Sequence, residues 1–210
     1  MDALDRQFDA GIIGGGLAGL AAATVLARAG RSVAVLEQAS HVGGRAYSRA
    51  AGGYTFNLGP HALYRGGEAE TLLRELGVEF GGKIVANQIA RALRGGKAHL
   101  LPEGAGSLLR TTLLDWRGKL AFAKLLTGIG RLDSGPLQGV AVSAWLDSNV
   151  KHPVVREAVL ALIRVATYGD APDAQSMGSA LDQLKLALSS GVWYLDGGWQ
   201  TLVDGLRAAA

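Results

Sequence analysis

After a polar start, residues 9–13 form a short apolar run that stops at Gly14. Uniform hydrophobicity over so few positions predicts a buried parallel strand. Residues 17–29 are mostly Ala and Leu, which predicts a helix. Gly30 follows, the position at which a glycine commonly closes a helix. Residues 32–36, Ser-Val-Ala-Val-Leu, read as a second buried strand. Strand, helix and strand within about 30 residues make a βαβ unit.

Past Glu37 the pattern loosens into a Gly-rich stretch that runs to Tyr64. Residues 68–76 predict a short helix closed by Gly77. Residues 84–93 and 97–101, separated by Gly95-Gly96, predict a β-hairpin that stops at Pro102. Beyond it the spacing turns helical at 107–114, 119–129, 142–146, 154–168 and 179–188, with a break at 169–172. Trp193-Tyr194-Leu195-Asp196-Gly197-Gly198 then leads into a last helix from about Trp199. No internal repeat or low-complexity segment interrupts this order.

The 210 residues have room for one large domain or two small ones. A hydrophobic share of 49% against 19% charged excludes a disordered chain. There are 31 glycines with no collagen-like period, which points to tight turns and to close approach of backbone to something else. The net charge is +3, but Lys and Arg are scattered. Their densest group, Arg91, Arg94 and Lys97, flanks a predicted turn, so solvated surface accounts for it and no nucleic-acid partner is expected. The absence of Cys excludes disulfides, thiolate metal sites and a flavin bound through a cysteinyl sulfur. No stretch reaches the ~18 apolar residues of a spanning helix. The apolar residues 10–25 follow an acidic start and have central glycines, unlike an export signal, so a cytoplasmic location is expected.

The chemistry concentrates in Gly14-Gly15-Gly16-Leu17-Ala18-Gly19, a G-x-G-x-x-G between strand and helix. Gly14 serves an abrupt turn, Gly16 lets a pyrophosphate reach the backbone, and Gly19 lets the helix pack close on the strand. The dipole and open N–H groups of the helix favour an anion there. Glu37, at the end of the second strand, lies 37 − 14 = 23 residues after the first glycine. Its carboxylate suits a ribose hydroxyl pair and repels the 2′-phosphate of NADP. FAD and NAD share the ADP half, so an NAD-dependent dehydrogenase remains an alternative, as does a non-catalytic nucleotide-binding module. Gly43-Gly44-Arg45 adds paired glycines and a guanidinium able to bond a pyrophosphate.

These motifs resemble the flavin-containing amine oxidase superfamily, which includes protoporphyrinogen oxidases and phytoene-desaturase-like enzymes. The likeness runs from Gly14, Gly16 and Gly19 through Glu37 to Gly43-Gly44-Arg45. It continues at Phe56-Asn57-Leu58-Gly59-Pro60-His61, at the hairpin ending in Leu101-Pro102, at Thr167-Tyr168-Gly169-Asp170 and at Gly197-Gly198-Trp199. The resemblance implies an α/β fold: a Rossmann-type FAD-binding βαβ unit with an inserted α+β, mostly helical substrate domain. Residues 1–76 and 191–210 would belong to the FAD domain and 77–190 to the insertion. It implies non-covalent FAD, with Gly14, Gly16, Leu17, Ala18 and Gly19 on the pyrophosphate. Glu37, with Gln38 beside it, would take the adenosine ribose. Gly43, Gly44 and Arg45 would flank the phosphates and ribityl chain, and Leu58, Gly59, Pro60, His61 and Ala62 would pass near the isoalloxazine.

The implied reaction is hydride transfer from an organic donor, an amine, porphyrinogen or polyene, to the flavin. His61 is a weak catalytic candidate as a proton carrier, and a loop histidine bonding its own turn is the favoured explanation. His41, His99 and His152 lack metal-ligand spacing, so no metal is expected. The helices of 108–129 carry apolar residues with interspersed Arg and Lys, a pattern open to core packing, an apolar substrate tunnel or peripheral membrane contact. The family runs longer than this chain, so a truncated chain is expected, its site completed by a missing C-terminal half or by a second copy.

Overall fold

The computed structural model describes residues 7–60, 62–84, 90–102 and 104–210. Strands β1 (Ala10–Ile13) and β2 (Val33–Leu36) pair in parallel, Ala10 opposite Val33 and Ile13 opposite Leu36, with α1 (Leu17–Arg28) as the crossover. A 3₁₀ turn, Gly44–Ala46, precedes the antiparallel hairpin of β3 (Ser48–Ala51) and β4 (Tyr54–Asn57). Next come β5 (Leu63–Tyr64), α2 (Glu68–Glu75) and β6 (Gly82–Ile84). A second hairpin, β7 (Arg91–Arg94) and β8 (Lys97–Leu100), leads into five helices: α3 (Ala105–Arg110), α4 (Trp116–Ile129), α5 (Val142–Asn149), α6 (Pro153–Thr167) and α7 (Met177–Ser190). The chain closes with β9 (Val192–Leu195) and α8 (Gln200–Ala209).

Several elements differ from their sequence-based expectations for local reasons. The β3–β4 hairpin lies where only a Gly-rich stretch was legible. Gly52 and Gly53, at φ 57° and 79°, provide the two positive φ angles of a type I′ turn. Ile84 does not open the second hairpin; it ends β6 and pairs with Trp193 of β9. Helix α3 stops at Arg110 because Thr111 turns extended, its hydroxyl donating to the Leu100 carbonyl and accepting from the Leu113 amide. Leu113 and Leu114 are therefore buried outside any helix. Helix α4 starts three residues before the expected position, since the Asp115 carboxylate caps it by accepting the Gly118 N–H at 2.7 Å. Strands β1 and β2 are not buried throughout: Ile13 is 91% exposed and Leu36 60%. A two-stranded ribbon covers alternate side chains on one face only.

The chain divides into two compact units, Met1–Val85 with Ser190–Ala210, and Ala86–Ser189. In the first, β9 sits between β5 and β6 in an antiparallel sheet, and α8 packs on α1. Thr24 of α1 is fully buried there, its hydroxyl donating to Leu20 O at 2.8 Å and Leu206 O at 3.1 Å. Leu202, Val203 and Leu206 join Leu20, Leu73 and Val78 in one core. The second unit is the β7–β8 hairpin and helices α3–α7 around Phe122, Leu146, Ile163, Met177 and Leu181. Among the described residues no helix is long and apolar enough to cross a membrane.

Candidate cofactor site

The glycines between β1 and α1 carry distinct duties. Gly14, at φ 103°, takes the chain out of β1 while its N–H donates to Leu36 O at 2.8 Å. Buried Gly15 donates its N–H to a Glu37 carboxylate oxygen at 2.7 Å and accepts the Gly43 N–H at 2.7 Å. Gly16 caps α1, and a Cβ built on it meets nothing within 4 Å. At Gly19 a Cβ would lie 2.0 Å from Gly14 O, so only glycine lets the helix start against this loop.

No side chain caps the N-terminus of α1 and its first turn holds no acid. First-turn amides have no carbonyl one turn back, and the dipole adds positive potential at the same end. Leu17 and Ala18 of this turn, with Gly16, form one wall of a cavity of about 360 Å³. Gly43, which caps the 3₁₀ turn, Arg45 and Ala46 within it, Pro60 and Trp199 complete it. Gly44, at φ 53°, places its α-carbon region against Gly16, a Cβ there lying 3.4 Å from Gly16 Cα. Gly59 backs the turn, since a Cβ on it would sit 2.2 Å from Arg45 O. Among the described residues no carboxylate lies within 4.0 Å of the Arg45 guanidinium.

Glu37 is tied to the fingerprint from the side. One carboxylate oxygen accepts the Ala39 N–H at 2.9 Å and the other the Gly15 N–H. The Ala39 bond foremost, then the Gly15 bond, hold the carboxyl below its ordinary range, so it is anionic at neutral pH. Two amide bonds leave lone pairs free on both oxygens.

The expected residues thus converge in large part. Gly14, Gly16, Leu17, Ala18, Gly19, Glu37, Gly43, Gly44, Arg45 and Pro60 gather around one helix mouth. Gln38 is exposed and takes no part in the cavity wall. Leu58 is 62% exposed and Ala62 is buried in the interior; neither lines the cavity. His61 lies outside the described residues. His41 stacks on Tyr47 at 3.7 Å between ring centroids, and no cluster of metal-binding side chains occurs among the described residues.

Ala46 and Trp199 escaped the sequence reading as site residues. Ala46 follows Arg45 directly, yet an alanine carries no chemical signal. Trp199 is 139 residues from Pro60, and only the adjacent Gly197-Gly198 pair marks it. Its backbone N–H donates to Asn57 Oδ1 at 3.0 Å, whereas its indole N–H is buried without a partner among the described residues. An uncapped helix mouth and a guanidinium with no carboxylate partner among the described residues form a lining complementary to an anion with hydrogen-bond acceptors.

A family model described as flavin containing amine oxidoreductase matches residues 17–210. Coproporphyrinogen III oxidase of Propionibacterium freudenreichii subsp. freudenreichii is 29% identical over 187 residues, 83% of this chain and 34% of that protein. 4,4'-Diaponeurosporene oxygenase of Staphylococcus aureus (strain USA300) is 44% identical over 52 residues, 25% of this chain and 10% of that protein. Among solved structures, a variant from the redesign of cofactor binding in putrescine oxidase superposes with a TM-score of 0.73 at 20% identity, covering 97% of this chain and 49% of that one. That likeness is one of fold. The chain spans about a third of the length of the coproporphyrinogen oxidase and about half of the putrescine oxidase.

Proposed function

This chain belongs to the flavin-containing amine oxidoreductase family, and on that premise we propose that it holds the diphosphate of a non-covalent FAD at the mouth of α1, as part of an FAD-dependent oxidoreductase that oxidises a small organic donor. The observation that carries the reading is Gly16: it caps the helix without a side chain, and the space its Cβ would take is open.

The residues present fit that group. The first-turn amides of α1 and the Arg45 guanidinium converge on one cavity, where a diphosphate would accept from both. Glu37, anionic and fixed by two amides, would accept from a ribose hydroxyl pair and repel a 2′-phosphate. The indole N–H of Trp199 would find its acceptor on the bound group. When bound, the flavin supplies the hydride acceptor. Arg45 is the one titratable side chain among the described walls, so the contribution of this chain there is to bind and orient. Among donors, a porphyrinogen is favoured over a polyene, because the porphyrinogen-oxidase match extends over 83% of the chain and the oxygenase match over 25%.

The test is reconstitution with FAD. A yellow protein with one flavin per chain, lost in Gly16→Ala without change in circular dichroism, is the expected result. Retention of flavin by Gly16→Ala would overturn the placement. Binding of ADP without FAD would leave a nucleotide-binding module in place of a flavoprotein.

A further inference from the structure

The second unit contains a groove that the flavin reading does not use. Along α4, Arg117, Lys124 and Leu125 recur at spacings of seven and eight residues, which places them on one face of the helix. Leu132 and Trp145 provide further apolar floor, and Lys151 and His152, from the link between α5 and α6, close the far side. The groove is open to solvent and its volume is about 660 Å³, within the range of sites that take small organic ligands.

The charged side chains that line this groove are basic, and the carboxylate of Asp115 beside it acts on both His152 and Arg117. Arg117, Lys124 and Lys151 are exposed, and among the described residues no carboxylate lies within 4.0 Å of any of them. The ammonium of Lys151 donates to the backbone carbonyl of Asp147 at 2.7 Å. The nearby acid, Asp115, is already committed: it accepts the Gly118 N–H at 2.7 Å and bonds His152 Nε2 at 3.0 Å. Gly118 makes room for that ring, since a Cβ on it would lie 3.0 Å from His152 Cε1. Nδ1 of the same ring is buried with no partner among the described residues. A rim of basic side chains around a partly apolar floor is complementary to an anion that carries an apolar portion. A purely polar anion would leave the exposed parts of Leu125 and Leu132 in water, beside the edge of buried Trp145; a hydrocarbon tail covers them.

We infer that this groove binds an amphiphilic monocarboxylate of the fatty-acid type, its head among Arg117, Lys124 and Lys151 and its tail along Leu125, Leu132 and Trp145. The site lies wholly in one compact unit and does not depend on flavin.

Calorimetric titration of the intact chain with sodium decanoate, below its micellar concentration, tests this against decanol as the neutral analogue. Decanoate should bind saturably at one site, and decanol about tenfold more weakly, the equivalent of one charge-assisted bond. Arg117→Gln and Lys124→Gln, both exposed and outside the cofactor cavity, should each weaken decanoate by a similar factor and leave decanol and flavin retention unchanged. Equal affinities for the two ligands, no heat from either, or undiminished decanoate binding by both variants would overturn the assignment. Sedimentation with phosphatidylglycerol vesicles in the absence of decanoate binding would overturn it too, by giving the basic side chains to a lipid surface.

Discussion

A Cβ on Gly19 would lie 2.0 Å from the carbonyl oxygen of Gly14, while a Cβ on Gly16 would touch nothing within 4 Å. Two glycines of one motif are therefore required for different reasons, packing in one case and open space in the other. Gly19→Ala should destabilise the chain by about 1–3 kcal/mol through overpacking against rigid backbone. Gly16→Ala should melt at the wild-type temperature yet lose flavin. Thermal melts of both variants, read beside flavin absorbance, check the pair.

Arg45 carries the guanidinium of the cavity and has no carboxylate partner among the described residues. Arg45→Ala should weaken FAD binding by about 1.5–3 kcal/mol, the range of a hydrogen bond to a charged group. Arg45→Lys should recover part of that loss, since it retains the charge but not the planar fork. Fluorescence titration of FAD gives the three dissociation constants, and equal values would remove Arg45 from the site.

Trp199 presents a buried indole N–H with no protein partner. In the flavin-free chain Trp199→Phe should therefore cost no hydrogen bond, and its melting temperature should stay at or slightly above that of the wild type. With FAD present the same variant should bind about 2–10-fold more weakly, the net worth of one neutral hydrogen bond. Equal affinity in the variant would mean that the indole donates elsewhere.

The Glu37 carboxyl is held below its ordinary range by the Ala39 and Gly15 amides. A carboxyl whose pKa falls on folding adds stability above the ordinary glutamate range, and that stability is lost as pH drops through the lowered value. Glu37→Gln should therefore flatten the acid side of the stability profile just below the ordinary range. The slopes due to Asp9 and Asp115, also lowered by amide hydrogen bonds, should remain. Melting temperature against pH for both proteins is the measurement. The same variant should also lose discrimination against a 2′-phosphate.

Thr24 ties α1 to α8 through Leu206 O. Thr24→Val keeps the volume and removes the donor, so it should cost about 0.5–1.5 kcal/mol in denaturant unfolding.

The βαβ unit was legible because its determinants are local. An apolar run, a helix-forming run and a glycine at each junction need no distant partner to be recognised. The fingerprint and Glu37 were likewise readable, because 23 residues of strand, helix and strand bring the acid back to the loop from which the helix starts. What only the tertiary structure decided depends on contacts far apart in sequence. Trp199 reaches the cavity because β9 pairs between β5 and β6 and delivers the chain to the side of β4. Ile84 belongs to that sheet and not to the adjacent hairpin, since strand pairing is set by a register 109 residues away. The pattern of 108–129 left core packing, a tunnel and membrane contact open, and the groove of the second unit depends on the same kind of distant contact. Scattered Lys and Arg look like ordinary solvated surface until helix packing sets three of them around one apolar floor.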